Sequence, residues 1–263
     1  MNLREINFSF DGLHCMRDFG LMYVEDGGHP ITPETARNEY EIAGMSGTLL
    51  MPGETKKTKI FTGTLYFMDS PPSQEAAQEN LRRIGAWLTS GRKMLVFDYE
   101  LTRYYLAQVD AETVWDFSNW VEGGLKISFT AQPFAYNRSE SNAEISTALT
   151  SLNVTLALDS GLPAPLSLTL TNTGAAVITG FSATLGGRSV TFAGMSIAAG
   201  GKLTISLEPP ISALYADGSS ALPQATALEQ LLANPGSNVV GLTITYGAGE
   251  KGADIVISAR GRY

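Results

Sequence analysis

Alternation with a period of two residues runs through most of this chain and limits it to folds built from half-buried strands. Leu125, Ile127, Phe129 and Ala131 fall on one face of an extended segment, with Lys126, Ser128, Thr130 and Gln132 on the other. That is the mark of an antiparallel strand with one face in a core. The later half repeats the pattern in Leu152, Val154, Leu156 and Leu158, in Leu166, Leu168 and Leu170, in Leu203, Ile205 and Leu207, in Val240, Leu242, Ile244 and Tyr246, and in Ile255, Ile257 and Ala259. Turn signals at Asn172-Thr173-Gly174, Gly186-Gly187 and Gly200-Gly201 separate several of these runs, a spacing that predicts a β-sandwich or jelly roll. Residues 226–233 are expected to form one short helix within it.

The first half alternates less cleanly. Phe61, Leu65 and Phe67 interleave with Ile60, Thr62, Thr64 and Tyr66, so bulk stands on both faces and the strand is expected to lie between two surfaces. Its expected partner is the run from Glu39 to Met51, joined across Pro52-Gly53-Glu54-Thr55-Lys56 as a long hairpin. Asp26-Gly27-Gly28 is a second turn signal. One helix is predicted: Ser73 offers an N-cap with Glu75 in the first turn, Ala77, Leu81, Ile84 and Leu88 recur at steps of three and four, and Gly91 closes it. A sheet-rich domain with one amphipathic helix is an α+β unit, inside a chain that is mainly β.

Length and composition support two ordinary domains. The chain has 263 residues, 44% hydrophobic and 17% charged, enough for packed cores. All three tryptophans (Trp87, Trp115, Trp120), both histidines and the single Cys15 precede Tyr136, and the later half is rich in Ala, Gly, Ser, Thr, Leu and Val. The division expected is a first domain over 1–136, a polar connector over 137–151 with its Ser, Asn and Thr content, and a second domain over 152–263. The formal net charge is −8, with 18 acidic against 12 basic residues up to Tyr136, which argues against stable nucleic-acid binding. Met1 to Glu5 lead into no apolar stretch of signal-peptide or membrane length, so a soluble product made in the cytoplasm is expected, without membrane insertion. One cysteine allows no internal disulfide.

The search for chemistry is mostly negative. His14 and Cys15 are sequence neighbours that a strand would point to opposite faces, so a half-buried structural thiol is expected rather than a Cys-His dyad or metal site. Carboxylates two residues apart (Glu39/Glu41, Asp98/Glu100, Asp110/Glu112) could pair as a glycoside hydrolase requires, but strand ends and solvated faces collect such pairs routinely. Gly201-Lys202 lacks the Ser/Thr and the upstream Gly of a phosphate loop, and the sequons at Asn137 and Asn153 matter only in a secreted chain. Trp115-Asp116-Phe117-Ser118-Asn119-Trp120 could stack a ligand but reads as a packed loop. No catalytic residue, cofactor site or metal site is assigned.

An ordered set of short signposts adds a resemblance. Phe19-Gly20-Leu21, Gly44-Met45-Ser46-Gly47, Trp87-Leu88, Leu95-Val96-Phe97-Asp98, Tyr104-Tyr105-Leu106-Ala107, Gly123 to Phe129 and Gln132-Pro133-Phe134-Ala135-Tyr136 follow one another as in the N-terminal half of siphophage distal tail (Dit) proteins. Gly161-Leu162-Pro163-Ala164-Pro165-Leu166, Gly200 to Ile205, Asn234 to Asn238 and Ala259-Arg260-Gly261-Arg262-Tyr263 extend the resemblance more loosely, although Asn172 and Thr173 stand where related domains often have a glycine-led turn. The resemblance implies an N-terminal tail-tube-like β-barrel with one flanking helix and a C-terminal galectin-like β-sandwich. It further implies a non-enzymatic virion protein of the phage tail tip or baseplate. Such a protein forms a hexamer ring that joins the tail tube protein to the tail-associated hub protein, with receptor-binding proteins docked around it.

A ring makes physical sense of the apolar strand. Ile60, Phe61, Leu65, Tyr66, Phe67 and Met68 offer more apolar surface than one small barrel with a single helix can cover, so a neighbouring copy is the expected lid and these six are the candidate oligomer interface. Two other function classes stand beside this one. A lectin-like module needs an aromatic platform, and the later half has no Trp and no His, so a docking or spacer domain is expected there. A cell-wall glycan hydrolase would need an acidic pair in a pocket.

Overall fold

The computed structural model describes residues 7–26, 28, 30–41, 48–69, 71–110, 115–117 and 123–263, with the backbone alone for 37–41, 48–54 and 115–117. The chain is mainly β and divides into two compact units, Met1–Ala135 and Tyr136–Tyr263. Unit 1 runs β1 (Phe8–Phe10), β2 (Leu13–His14), α1 (Cys15–Phe19), β3 (Leu21–Glu25), β4 (Thr35–Glu41), β5 (Thr48–Lys56), β6 (Lys59–Phe67), α2 (Gln74–Leu88), β7 (Lys93–Phe97), β8 (Arg103–Val109), β9 (Trp115–Phe117) and β10 (Gly123–Ala131). Its main sheet is antiparallel in the order β2-β1-β7-β8-β10-β6-β3, with β9 on β10. The end strands β2 and β3 do not pair with each other, so among the described residues the sheet is an open path and not the closed barrel expected.

The inner face of that sheet is aromatic. Phe8 stacks on Trp87 at 5.7 Å and meets Tyr23 and Phe129 edge-on, each at 5.1 Å, and Phe61 joins Phe97 and Tyr105 at 5.2 and 4.9 Å. The helix predicted over 73–88 supplies the lid: Ser73 Oγ accepts from the Ala76 amide, and Ala77, Ile84, Trp87 and Leu88 are buried. Trp87, absent from the predicted stripe, stacks on Phe19 at 4.4 Å, and its indole N–H donates to the Phe10 carbonyl at 2.8 Å. Burying side chains of this size contributes about 1.5–3 kcal/mol each, which makes this cluster the main stabiliser of unit 1. Strand β10 follows its alternation, with Leu125, Ile127, Phe129 and Ala131 buried.

The long hairpin is a correction. Strand β6 does not pair with Glu39 to Met51; it lies between β10 and β3 in the main sheet. The hairpin is β4 with β5, and Pro52 to Lys56 is part of β5, not a turn. The register shifts between Arg37, opposite Glu54, and Asn38, opposite Met51, leaving Pro52-Gly53 as the excess residues of a bulge. Bulges and turns draw on the same residue types, and this is how the signal misleads. The residues joining β4 to β5, 42–47, lie outside the described residues.

Unit 2 is a sandwich. It runs β11 (Tyr136–Asn137), β12 (Ser141–Thr147), β13 (Ser151–Leu158), β14 (Ala164–Asn172), β15 (Ile178–Leu185), β16 (Arg188–Ile197), β17 (Lys202–Ser206), β18 (Ser212–Tyr215), a 3-10 turn (Leu222–Gln224), β19 (Ala225–Leu228), β20 (Leu232–Ala233), β21 (Gly236–Tyr246) and β22 (Ala253–Ala259). One sheet has the order β12-β22-β14-β17-β18 with β20 on β14, and the other β13-β21-β15-β16-β19. Alternating residues of both sheets, among them Leu156, Phe181, Phe192 and Leu242 from one and Leu168, Leu203 and Ile257 from the other, share one core. Gly186 and Gly187, at φ of 60° and 79°, close the β15–β16 hairpin in the turn form that needs positive φ at both positions.

Three expectations differ here. Residues 137–151, read as a connector, contain β12, which pairs along its whole length with β22 from Ser141 opposite Ala259 to Thr147 opposite Ala253. Residues 226–233, read as a helix, contribute to β19 and β20, because pairing of Ala227 with Thr191 and of Ala233 with Ala164 overrides local preference. Asn172, read as part of a turn, is the wholly buried last residue of β14. The closing segment is tied down as well: Asn137 N–H donates to the Gly261 carbonyl at 3.0 Å, and Tyr263 Oη donates to Asp159 Oδ1 at 2.6 Å. A Cβ at Gly261 would sit 2.0 Å from the Asp159 carbonyl oxygen, so only glycine fits there.

Candidate assembly surface

The six candidate interface residues are split by the alternation of β6. Phe61 and Leu65 are fully buried and Phe67 half-buried on the inner side, while Ile60 (56% exposed), Tyr66 (40%) and, just past the strand end, Met68 (48%) look outward. The strand is therefore covered on one side by its own core, and only Ile60, Tyr66 and Met68 are available to a partner. Cross-strand register adds two residues that the sequence reading missed. Met22 lies opposite Tyr66 and Val24, 37% exposed, opposite Thr64, so Met22, Val24, Tyr66 and Met68 gather at one end. Ile60 stands six residues along β6 from Tyr66, about 20 Å away at the rise of a strand. The alternation of Leu21-Met22-Tyr23-Val24 carried the signal for that second row.

Local packing fixes this surface. Tyr66 lies across Gly124 on the neighbouring strand, where a Cβ would come within 3.0 Å of its ring and 2.6 Å of Thr64 Cγ2. The tyrosine thus shields backbone that a glycine leaves bare. Thr64 Oγ1 donates to Asp26 Oδ2 at 2.8 Å, and Thr62 Oγ1 donates to the Asp26 carbonyl at 2.7 Å, which anchors the segment following β3. On the other side of β6 the surface turns polar, through Lys126, Ser128 and Thr130 of β10. The patch is an apolar row with a hydrophilic flank, a pattern suited to recognition more than to chemistry.

His14, Asp98 and Glu100 have structural duties. His14 is the N-cap of α1, its Nδ1 accepting from the amides of Met16 and Arg17 at 3.1 Å each, and its Nε2 lies 3.0 Å from Asp98. Gly20, at φ 64°, closes that turn, and its amide donates to the Met16 carbonyl at 2.9 Å. Glu100, the other member of the Asp98 pair, binds Arg103 at 2.8 Å. Asp110 accepts from Gln108 Nε2; Glu112, Trp120 and His29 lie outside the described residues, as do the side chains of Glu39, Glu41 and Trp115. Among the described residues there is no cluster of metal-ligating side chains, and no helix is long and apolar enough to cross a membrane.

Cys15 is fully buried, not half-buried as expected: the Phe8 amide donates to its Sγ at 3.4 Å, and the thiol donates to Asn7 Oδ1 at 3.6 Å. Burial pushes the thiol up to about 12, with the Phe8 N–H offsetting part of the rise. Almost no thiolate exists between pH 7 and 9, and the thiolate is the reactive form. Ellman's reagent at pH 8 is therefore expected to leave the native thiol unreacted and to modify it at once in urea. Rapid reaction in the native protein would show that the N-terminal strands open readily.

No family model matches the chain, and no curated protein matches it. Among solved structures it is similar to the crystal structure of the Dit protein (gp 19.1) of phage SPP1, described as a paradigm of the hub adsorption apparatus of phages infecting Gram-positive bacteria. The match has a TM-score of 0.70 over 97% of this chain and 98% of that one, at 13% identity. The chain has the Dit fold. Both units take part in that match, since it leaves only a few per cent of either chain uncovered. The likeness agrees with the resemblance read from the sequence between Phe19 and Tyr136, of which the Gly44-Met45-Ser46-Gly47 signpost lies outside the described residues.

Proposed function

We propose that this chain is a structural virion protein of a phage tail tip, a distal tail subunit that builds a hexamer ring between the tail tube protein and the tail-associated hub protein. The end-to-end likeness to SPP1 Dit carries this reading, because it involves both units and their order. In this reading unit 1 is the tail-tube-like, ring-forming domain, and unit 2 is a galectin-like sandwich on which receptor-binding proteins dock. The protein is made in the host cytoplasm and resides in the virion, and it performs no catalysis. A ring needs heterologous contacts that close around an axis. Two features suit this: the outward row of Met22, Val24, Tyr66 and Met68, and the β4–β5 ribbon, which among the described residues is a two-stranded sheet with no further strand on its edges. The excess of acid in unit 1 suits a channel that DNA must pass without sticking.

Negative-stain images of purified protein are expected to show six-fold rings with a central hole, and monomers at every concentration would overturn the reading. The double variant Tyr66→Asp, Met68→Asp is expected to stay folded and lose the ring, since an interface with much less than about 1,000 Å² of good contact is rarely stable. Intact rings of that variant would move the contact to another surface.

A further inference from the structure

His14 meets two demands that its ring can satisfy together in only one protonation state. Its Nδ1 accepts from the amides of Met16 and Arg17, each at 3.1 Å, and so caps α1. An imidazole nitrogen accepts only when it carries no proton, so the ring's proton sits on Nε2, where both Asp98 carboxylate oxygens stand, at 3.0 and 3.1 Å. A second proton could go only to Nδ1. There it would turn the acceptor into a donor aimed at two donors, and would set a cation against amide N–H groups that need an acceptor. The Asp98 carboxylate, in contrast, is served by Nε2–H in either state and attracts a positive ring. One neighbour welcomes the proton and the other two refuse it.

We propose that His14 is an acid-sensitive latch on α1: protonation at Nδ1 removes the cap and frees residues 15–20. Histidine is the side chain that gains charge between about pH 8 and 5. The groups around the ring single it out. Asp18 accepts from the His14 amide at 2.6 Å and lies 3.3 Å from Arg17, and that amide, before the other causes, holds its carboxyl below the usual range, so it stays ionised. Cys15 is a neutral thiol, pushed up to about 12 by burial. In the turn between β1 and β2, Asp11 pairs with Lys93 at 3.3 Å, and on β1 the residue opposite His14 is the uncharged Ser9. The latch also stands beside the outward row: α1 joins β2 to β3, and the carbonyl of Gly20, at its end, accepts from the Met68 amide at 2.9 Å. It is a property of one subunit and holds with or without a ring.

Cys15, the first residue of α1, is a built-in reporter, since its Sγ is buried against the Phe8 amide and Asn7 Oδ1. Its rate of reaction with 4,4′-dithiodipyridine in the full chain is divided at each pH by the rate for glutathione, which cancels the chemistry of the thiol itself. That ratio is expected to rise about fivefold from about pH 7.5 to 5, the factor that losing one N-cap puts on a local opening equilibrium. Asparagine caps a helix and does not titrate, so His14→Asn should give a ratio that is flat with pH, even if higher throughout. In nitrogen NMR spectra the His14 ring should pass to its doubly protonated form over the interval in which the Met16 and Arg17 amides lose exchange protection. A flat ratio in the unaltered chain overturns the proposal. An equal rise in His14→Asn also overturns it and moves the acid response to Asp98, and so does undiminished protection of the two amides beside a doubly protonated ring.

Discussion

Asn172→Ala is expected to destabilise unit 2 by about 2–5 kcal/mol, the range for stripping buried groups of their partners. The side chain is inaccessible, and its Nδ2 donates to the carbonyls of Ala176 and Ile197 at 2.8 Å each while Oδ1 accepts from the Gly174 amide at 3.1 Å. One amide thus clamps the end of β14, the turn after it and the end of β16. The turn cannot shift to compensate, because a Cβ at Gly174 would already be 2.5 Å from the Glu250 carbonyl oxygen. Every tryptophan lies in unit 1, so the two units can be followed separately. Urea unfolding watched by far-ultraviolet circular dichroism should shift to lower midpoint for the unit 2 transition, while the tryptophan fluorescence transition stays in place. A shift equivalent to less than about 0.5 kcal/mol, the size of an ordinary surface change, would show that the clamp is dispensable.

Gly63→Ala should disrupt the other unit. A Cβ there would sit 2.2 Å from Tyr23 Cε2 and 2.6 Å from its hydroxyl oxygen. Tyr23 has no room to yield, since it is wedged against Phe8 and its hydroxyl donates to the Thr62 carbonyl at 3.2 Å. Overpacking of this kind costs about 1–3 kcal/mol or more. The effect should depend on its cause: in a Tyr23→Ala background the added methyl fills space instead of clashing, and Gly63→Ala should cost little or even help. Tryptophan fluorescence of the four proteins in urea measures the cycle, and additive losses would place the strain elsewhere.

Strands with one face in a core were legible from sequence because leucines, isoleucines and valines alternate without interruption, as from Leu166 to Leu170 and from Leu125 to Ala131. Those at the margins were not. Strand β12 is half-buried at best, so its Ser, Asn and Thr content looked like a connector. The run from Ala225 to Leu228 is extended only because β16 lies beside it. The cap of α1 escaped notice because histidine is an unusual N-cap, and its carboxylate neighbour Asp98 is 84 residues away in sequence. On the candidate surface, composition drew attention to β6 but could not tell its two faces apart; that needed the register of β3 and β10 on β6.

The anchoring of the last residues has a practical consequence. Arg262 and Tyr136 form a β-bridge, and Arg260 donates to the Asn137 and Arg138 carbonyls at 3.0 and 3.2 Å, so the sandwich begins and finishes at one spot. A module whose two ends meet behaves as a cassette: it can be lifted out, exchanged for another of the same kind or inserted into a host loop through a single seam. A reporter fused after Tyr263 would emerge at that seam. To display cargo at another place on the sandwich, an insertion at the exposed Gly186-Gly187 turn is the better site, because it avoids the clasp made by Asp159, Gly261 and Tyr263.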